Sequence, residues 1–232
     1  MFANDIKVCD MIDINFNLLQ LLPRTGLELK YANLPIKEAC RRCGIDRHTF
    51  ILICNVYTFN DYIPSAETLE ESSLEDIMKY LHNSHDSYTG IALKSLENAL
   101  SALIMPCSEQ QKEVVQKFFS DYEIELEKHF SYEEENLFPY VNSIISGCPD
   151  SNYSIAEYEK HHENVDEKLE DLKNIVMKYL PEVCDNNLRI DVLMSIYHLR
   201  DDLKRHTYVE NNILVPIVSR MEENGKWTIR RK

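Results

Sequence analysis

Two stretches of the chain carry the same chemistry at the same spacing. HFSYEEENLFP runs from His129 to Pro139, and HTYVENNILVP runs from His206 to Pro216. Each copy has His, then Glu four residues on, then Leu, then Pro ten residues after the His. A four-residue step places His and Glu one turn apart on the same helix face. In both copies that face is otherwise apolar, so it points at a core. A carboxylate on a core-facing stripe costs several kcal/mol unless a positive partner is buried with it. The fold must therefore bring several helices around one interior that can neutralise two carboxylates.

The rest of the pattern fits that demand. Only five Gly are present, which argues against a loop-rich or β-rich fold, and the abundant Glu, Lys and Leu favour helix. After a polar joint, DYIPSAETLEESS, four long helical periodicities follow. The first begins near Ser72, with Glu75 completing a capping box, and its stripe is Ile77, Leu81, His85, Tyr88, Ala92, Ala99 and Leu103. The second covers about 109–145, with stripe Val115, Phe118, Tyr122, Glu125, His129, Glu133, Leu137 and Tyr140. The third starts at Ser154, with Glu157 as its capping partner, and its stripe is Tyr158, His162, Val165, Leu169, Leu172, Val176 and Tyr179. The fourth covers about 187–223, with stripe Ile196, Leu199, Leu203, His206, Glu210, Ile213 and Ile217. SGCPDSNYS and LPEVCDNN break the pattern between them. The expected fold is all-α: an antiparallel four-helix bundle over 72–225, preceded by a small helical N-terminal domain over 1–66. Pro139 and Pro216 lie inside their helices, so a kink or a tightened turn is expected at each.

Each stripe has a His where Leu would be expected: His85, His129, His162 and His206. Glu133 and Glu210 add two carboxylates. Taken singly, each His is most simply a satisfied core histidine. Six such residues in register point to a metal centre. Four imidazoles and two carboxylates make a ligand set for two Fe ions, with Glu133 and Glu210 expected to bridge them, and the donor set also suits Mn or Zn. Six protein ligands underfill two metals and leave room for water, oxo or a small diatomic molecule. Glu159 and His162 make one Glu-x-x-His pair of the ferritin type, but no second pair accompanies it. His82 competes with His85, which is preferred for its place between Leu81 and Tyr88. His48 is expected to be exposed, His198 lies off its stripe, and His161 points about 100° from His162. Glu125, one turn before His129, is a candidate supporting residue or a solvated Glu. Tyr88 and Tyr122 are expected in the core.

The net charge is -14 over 232 residues. Residues 1–70 hold seven Lys/Arg and nine Asp/Glu, so the remaining residues carry -12. This disfavours nucleic acid or an anionic membrane as a partner. No run of about 18 apolar residues is present, and the start lacks the pattern of a secretory leader. Seven scattered Cys read as reduced thiols, which places the protein in the cytoplasm.

The order His, His-x-x-x-Glu, His, His-x-x-x-Glu resembles the hemerythrin-like domain, and within it the repair-of-iron-centres family. The residues that carry the likeness are HNSHDSY around His85, HFSYEEENLFP, HHENVDEKLEDL from His161 and HTYVENNILVP, over about residues 74–222. The resemblance implies that His85, His129, Glu133, His162, His206 and Glu210 ligate an oxo- or hydroxo-bridged pair of Fe ions. It further implies a ligand such as O2 or NO, a role in nitrosative or oxidative stress or in iron–sulfur cluster repair, and iron–sulfur proteins as partners. A homodimer is compatible with it.

TGLELKYANLPIKEACRRCGIDRHTF is similar to that family's N-terminal domain, but LELKYAN has no Cys where the family pattern has an adjacent Cys pair. The resemblance therefore implies a structural version of that domain. Cys40 and Cys43 share an apolar face with Ile36 and Ala39, and Gly44 ends that helix. Core packing is the simpler reading of this Cys-x-x-Cys, with a redox or half-metal role as the other. The same segment has a helix-turn-helix outline, so a gas- or iron-responsive DNA-binding sensor is the rival function. Its second helix, TFILICNVY, lacks side chains for base edges. A passive iron- or oxygen-binding role is a further alternative. The DNA reading is tested by fluorescence anisotropy with duplex DNA: no binding is expected, and an affinity abolished by Arg41→Glu with Arg42→Glu would establish the sensor instead.

Overall fold

The computed structural model of the chain describes residues 1–3, 5–148, 153–161 and 166–224. Among them no β-strand forms, and one isolated bridge pairs Lys7 with Pro35. The short helices are α1 (Val8–Ile14), α2 (Leu21–Thr25), α3 (Ile36–Cys43), α4 (Arg47–Thr58) and α5 (Ala66–Glu71). The long ones are α6 (74–104), α7 (109–145), α9 (166–179) and α10 (186–224), with α8 (Ile155–His161) preceding α9. Packing divides the chain into two compact units, Met1–Ser84 with Phe138–Ile155 and Arg205–Lys232, and His85–Leu137 with Ala156–Lys204.

The second unit is built on one continuous apolar core drawn from four helical segments. Tyr88, Leu96, Leu100 and Leu103 come from α6, and Phe119, Tyr122, Leu126 and Phe130 from α7. Leu169, Leu172 and Val176 come from α9, and Val192, Ile196, Leu199 and Leu203 from α10. The predicted stripes are visible here, with offsets. Phe118 and Glu125 are partly exposed while Phe119 and Leu126 are buried, so on α7 the apolar face lies one residue further along. Tyr179 is exposed, because α9 ends there.

The first unit joins the N-terminal helices to turns of α6 and α10 by specific polar contacts. Arg205 donates to the Val56 carbonyl and to Asn60 Oδ1, both at 2.6 Å. The Tyr208 hydroxyl donates to the Tyr62 carbonyl, and Asn83 to the Arg24 carbonyl. Tyr57 and Tyr80 share a hydrogen bond of 2.7 Å between their hydroxyls. Helix α6 is capped by Ser73, whose Oγ accepts from the Asp76 amide. Ser72, expected in that role, instead closes α5, its hydroxyl donating to the Thr68 carbonyl. The capping box of α7 is Ser108 with Gln111.

Each long helix contains a π-helical turn: Tyr88–Ala92, Glu133–Leu137, Ile175–Tyr179 and Glu210–Leu214. Two of them immediately precede the prolines, where a kink or tightened turn was expected; the turn is widened instead. A proline ring collides with the carbonyl four residues back, here Glu135 and Asn212. An i→i+5 turn spreads the backbone at those carbonyls and accommodates the ring. The extra residue also advances the apolar face by one position. Leu93 and Leu100 are buried in place of Ala92 and Ala99, and Val218 in place of Ile217.

In the N-terminal segment, Gly44 closes α3 in the left-handed conformation, φ 68°. Cys40 is buried beside Ile36 and Ala39, and burial pushes its thiol up to about 12, so it behaves as a core residue. The helix-turn-helix outline does not present a reading surface. Phe50, Leu52, Ile53 and Val56 of α4 are buried, and Arg41 and Arg42 both pair with Glu38. Replacing a fully buried residue of the second unit, Leu126→Ala, should destabilise the protein by about 2–5 kcal/mol. A denaturant midpoint unchanged from wild type would place Leu126 outside the core.

Candidate metal centre

The apolar stripes deliver polar side chains to the interior. On α6, His85 follows Leu81 by one turn and is 4 % exposed. Its ring stacks on Phe130 of α7, with centroids 4.1 Å apart and planes 17° from parallel. This contact fixes the plane of the imidazole. Glu134 Oε1 lies 2.8 Å from Nδ1, and Glu133 Oε2 lies 3.1 Å from Nε2. A carboxylate on Nδ1 favours the tautomer that leaves the Nε2 lone pair for a metal.

Glu133 opens the π turn of α7 and is fully buried. Its Oε1 is 3.3 Å from His129 Nε2 and accepts a hydrogen bond of 3.0 Å from the Tyr158 hydroxyl of α8. His129 is slightly more open than His85, with its side chain 10 % exposed. On α10 the second phrase repeats the arrangement. His206 and Glu210 are buried, and His206 Nε2 lies 2.8 Å from Glu210 Oε1. The Tyr80 ring is 6.2 Å from the His206 ring.

Among the described residues, one ligand atom from each of His85, Glu133, His206 and Glu210 lies within 4.8 Å of the others, and all four residues are buried. His129 contacts Glu133 but is outside that tight group. His162 lies outside the described residues. Glu125 is half-exposed and forms an ion pair with Lys168. His82 is exposed, unlike His85, and His48 pairs with Glu71 at the surface.

The donor set fits a transition metal. Imidazole nitrogen and carboxylate oxygen together suit Fe, Mn or Zn. Neighbouring donors at about 2.1 Å from one ion, at right angles, sit about 3.0 Å apart. The nitrogen–oxygen pairs here are 3.1, 3.3 and 2.8 Å apart. A divalent cation would also offset the two buried carboxylates, which neutral imidazoles cannot do alone.

The Hemerythrin HHE cation binding domain family matches residues 75–218. The chain belongs to the hemerythrin HHE family. A search of curated proteins gives no match. The all-α architecture is thus a hemerythrin-like helical bundle, and the protein has a buried His/Glu cluster that can hold a metal. Among the described residues, no helix is long and apolar enough to cross a membrane.

Sequence reasoning missed Glu134 and the roles of Tyr158 and Tyr80. Glu134 stands in a run of three Glu, and only the fold tells which of them meets His85. Tyr158 was visible on its stripe, but nothing in the spacing paired its hydroxyl with Glu133. Glu134→Gln removes the carboxylate that sets the His85 tautomer and should weaken metal affinity about 10- to 100-fold. A chelator-competition titration measures this, and an unchanged affinity would deny Glu134 that role.

Proposed function

We propose that this hemerythrin-family protein is a non-haem di-iron protein that binds or reacts with O2 or NO. The carrying observation is the group of four buried, mutually close ligands that includes two fully buried carboxylates. In this reading His85, His129, Glu133, His162, His206 and Glu210 would hold two Fe ions. Bound iron would supply an open coordination position and the electrons for a diatomic ligand. The chain supplies orientation and exclusion of water. Glu134 holds the His85 proton at Nδ1, and Tyr158 holds Glu133 through its hydroxyl. Phe130 covers the His85 face, and Tyr88 stacks behind Phe130 with centroids 5.7 Å apart.

The physiological setting we favour is nitrosative or oxidative stress, including iron–sulfur cluster repair, in the cytoplasm. The support is the resemblance of both the ligand order and the N-terminal segment to the repair-of-iron-centres family. The DNA-binding sensor is disfavoured by the buried face of α4.

Metal analysis of untagged protein should find about two Fe per chain. His129→Ala and Glu210→Ala should each lose metal and lower the melting temperature together, because ligand loss and folding are coupled. A variant retaining full metal and full stability would refute its ligand assignment. Single-turnover mixing of the reduced protein with NO then separates chemistry from carriage. Nitrous oxide would identify turnover, and a stable reversible adduct would identify a carrier or sensor.

A further inference from the structure

Away from the His/Glu cluster, the second unit holds a pair of thiols that the proposed function does not use. Cys107 lies in the loop between α6 and α7, directly before the capping Ser108. Cys184 lies in the loop before α10, directly before Asp185, whose carboxylate accepts from the Asn187 and Leu188 amides. Both thiols are buried, at 6 % and 5 % exposure, and both belong to the apolar core of that unit. Their sulfurs are 3.2 Å apart across 77 residues of chain. A disulfide bond is about 2.05 Å long, so closure needs a movement of about 1.2 Å. Backbone bonds hold both loops in place: Cys107 donates to the Ile104 carbonyl and Cys184 to the Pro181 carbonyl. Arg189 donates to the Pro181 carbonyl at 2.8 Å, anchoring the same loop from α10.

We propose that Cys107 and Cys184 are a redox modification site that closes to an intramolecular disulfide on exposure to a hydroperoxide. The step balances without a further reagent. One thiolate attacks a peroxide oxygen, breaking the O–O bond and giving a sulfenic acid and one water. The second thiol displaces that hydroxyl as a second water, so two thiols lose two electrons and two protons to the peroxide. Hydrogen peroxide is small enough for a core position that larger disulfides reach poorly. Burial and the neighbouring thiol push Cys107 up to about 11, so thiolate is scarce and closure is slow at neutral pH. Brief exposure leaves the pair reduced, and sustained exposure closes it.

The position gives the bond a structural consequence. Each cysteine stands 22 residues before the His of a His-x-x-x-Glu pair, Cys107 before His129 and Cys184 before His206. The bond would staple together the starts of α7 and α10, the two helices that carry those pairs. Closing a 77-residue loop restricts the unfolded chain.

The test treats the reduced full-length protein with hydrogen peroxide, quenches with an alkylating reagent under denaturing conditions, and maps peptides without reduction. The expected product is a Cys107–Cys184 cross-linked peptide that disappears on adding dithiothreitol, with a melting temperature about 5–10 °C above the reduced form. Cys184→Ser should abolish the cross-link and leave Cys107 trapped as a sulfenic acid, detected with a dimedone probe. Because the mapping is done on the wild-type chain, it does not depend on either variant folding. Both cysteines alkylated after prolonged peroxide, or either one cross-linked to a different cysteine, would overturn the proposal.

Discussion

The structure depends on the burial of Glu133 and Glu210. Both carboxylates are fully removed from solvent, and moving an ion from water into a protein interior costs several kcal/mol even after relaxation. Two imidazoles stand 3.1 and 3.3 Å from Glu133, and that of His206 stands 2.8 Å from Glu210. A protonated imidazole would compensate one carboxylate as an ion pair. A divalent cation compensates more charge in the same space and uses the imidazoles as neutral donors. The second arrangement explains why so much of the surrounding structure sets ring orientation. The Phe130 stack and the Glu134 carboxylate constrain His85, and the Tyr158 hydroxyl constrains Glu133. A merely satisfied ion pair would not require them.

The π turns connect this chemistry to the backbone. Glu133 and Glu210 are each the first residue of a π segment, and each segment runs up to a proline-bearing turn. The Pro ten residues after His looked like a helix breaker, and in the fold it accompanies a widened turn. An extra residue per turn rotates the chain beyond the carboxylate, so Glu can point inward while Leu137 and Val141, or Ile213, Leu214 and Val218, still face a core. A regular α-helix would leave the later apolar residues one position out of phase. Polar ligands and apolar packing thus share one helix at the cost of a local irregularity. Such irregularities concentrate at functional sites.

Much of this was legible in the sequence, for a definite reason. Helical periodicity is a local property, so the described parts of the four stripes, the two His-x-x-x-Glu pairs and the burial of His85 rather than His82 follow from spacing alone. Offsets of one residue, as at Phe118 against Phe119, arise where periodicity leaves two adjacent faces nearly equal. The π turn at Tyr88–Ala92 has no proline to announce it, and the one at Ile175–Tyr179 ends its helix two residues before Pro181. Contacts across long separations were not legible at all. Arg205 meets the Val56 carbonyl 149 residues away, and Tyr208 meets the Tyr62 carbonyl across 146. Nothing local in the sequence marks either residue, and only the packing of the N-terminal helices selects them.

The charge distribution has a consequence for loading such a centre. Residues 71–232 carry -12 of the net -14. A negative potential of this kind raises the local concentration of cations and speeds their arrival, an effect that weakens as salt shortens the Debye length. Neutral O2 and NO feel almost none of it. On the proposed function, the acidic surface would act on delivery of metal and would leave access of a diatomic ligand to be decided by the apolar shell. Metal uptake should then slow as ionic strength rises, while the rate of gas binding to the loaded protein stays nearly constant.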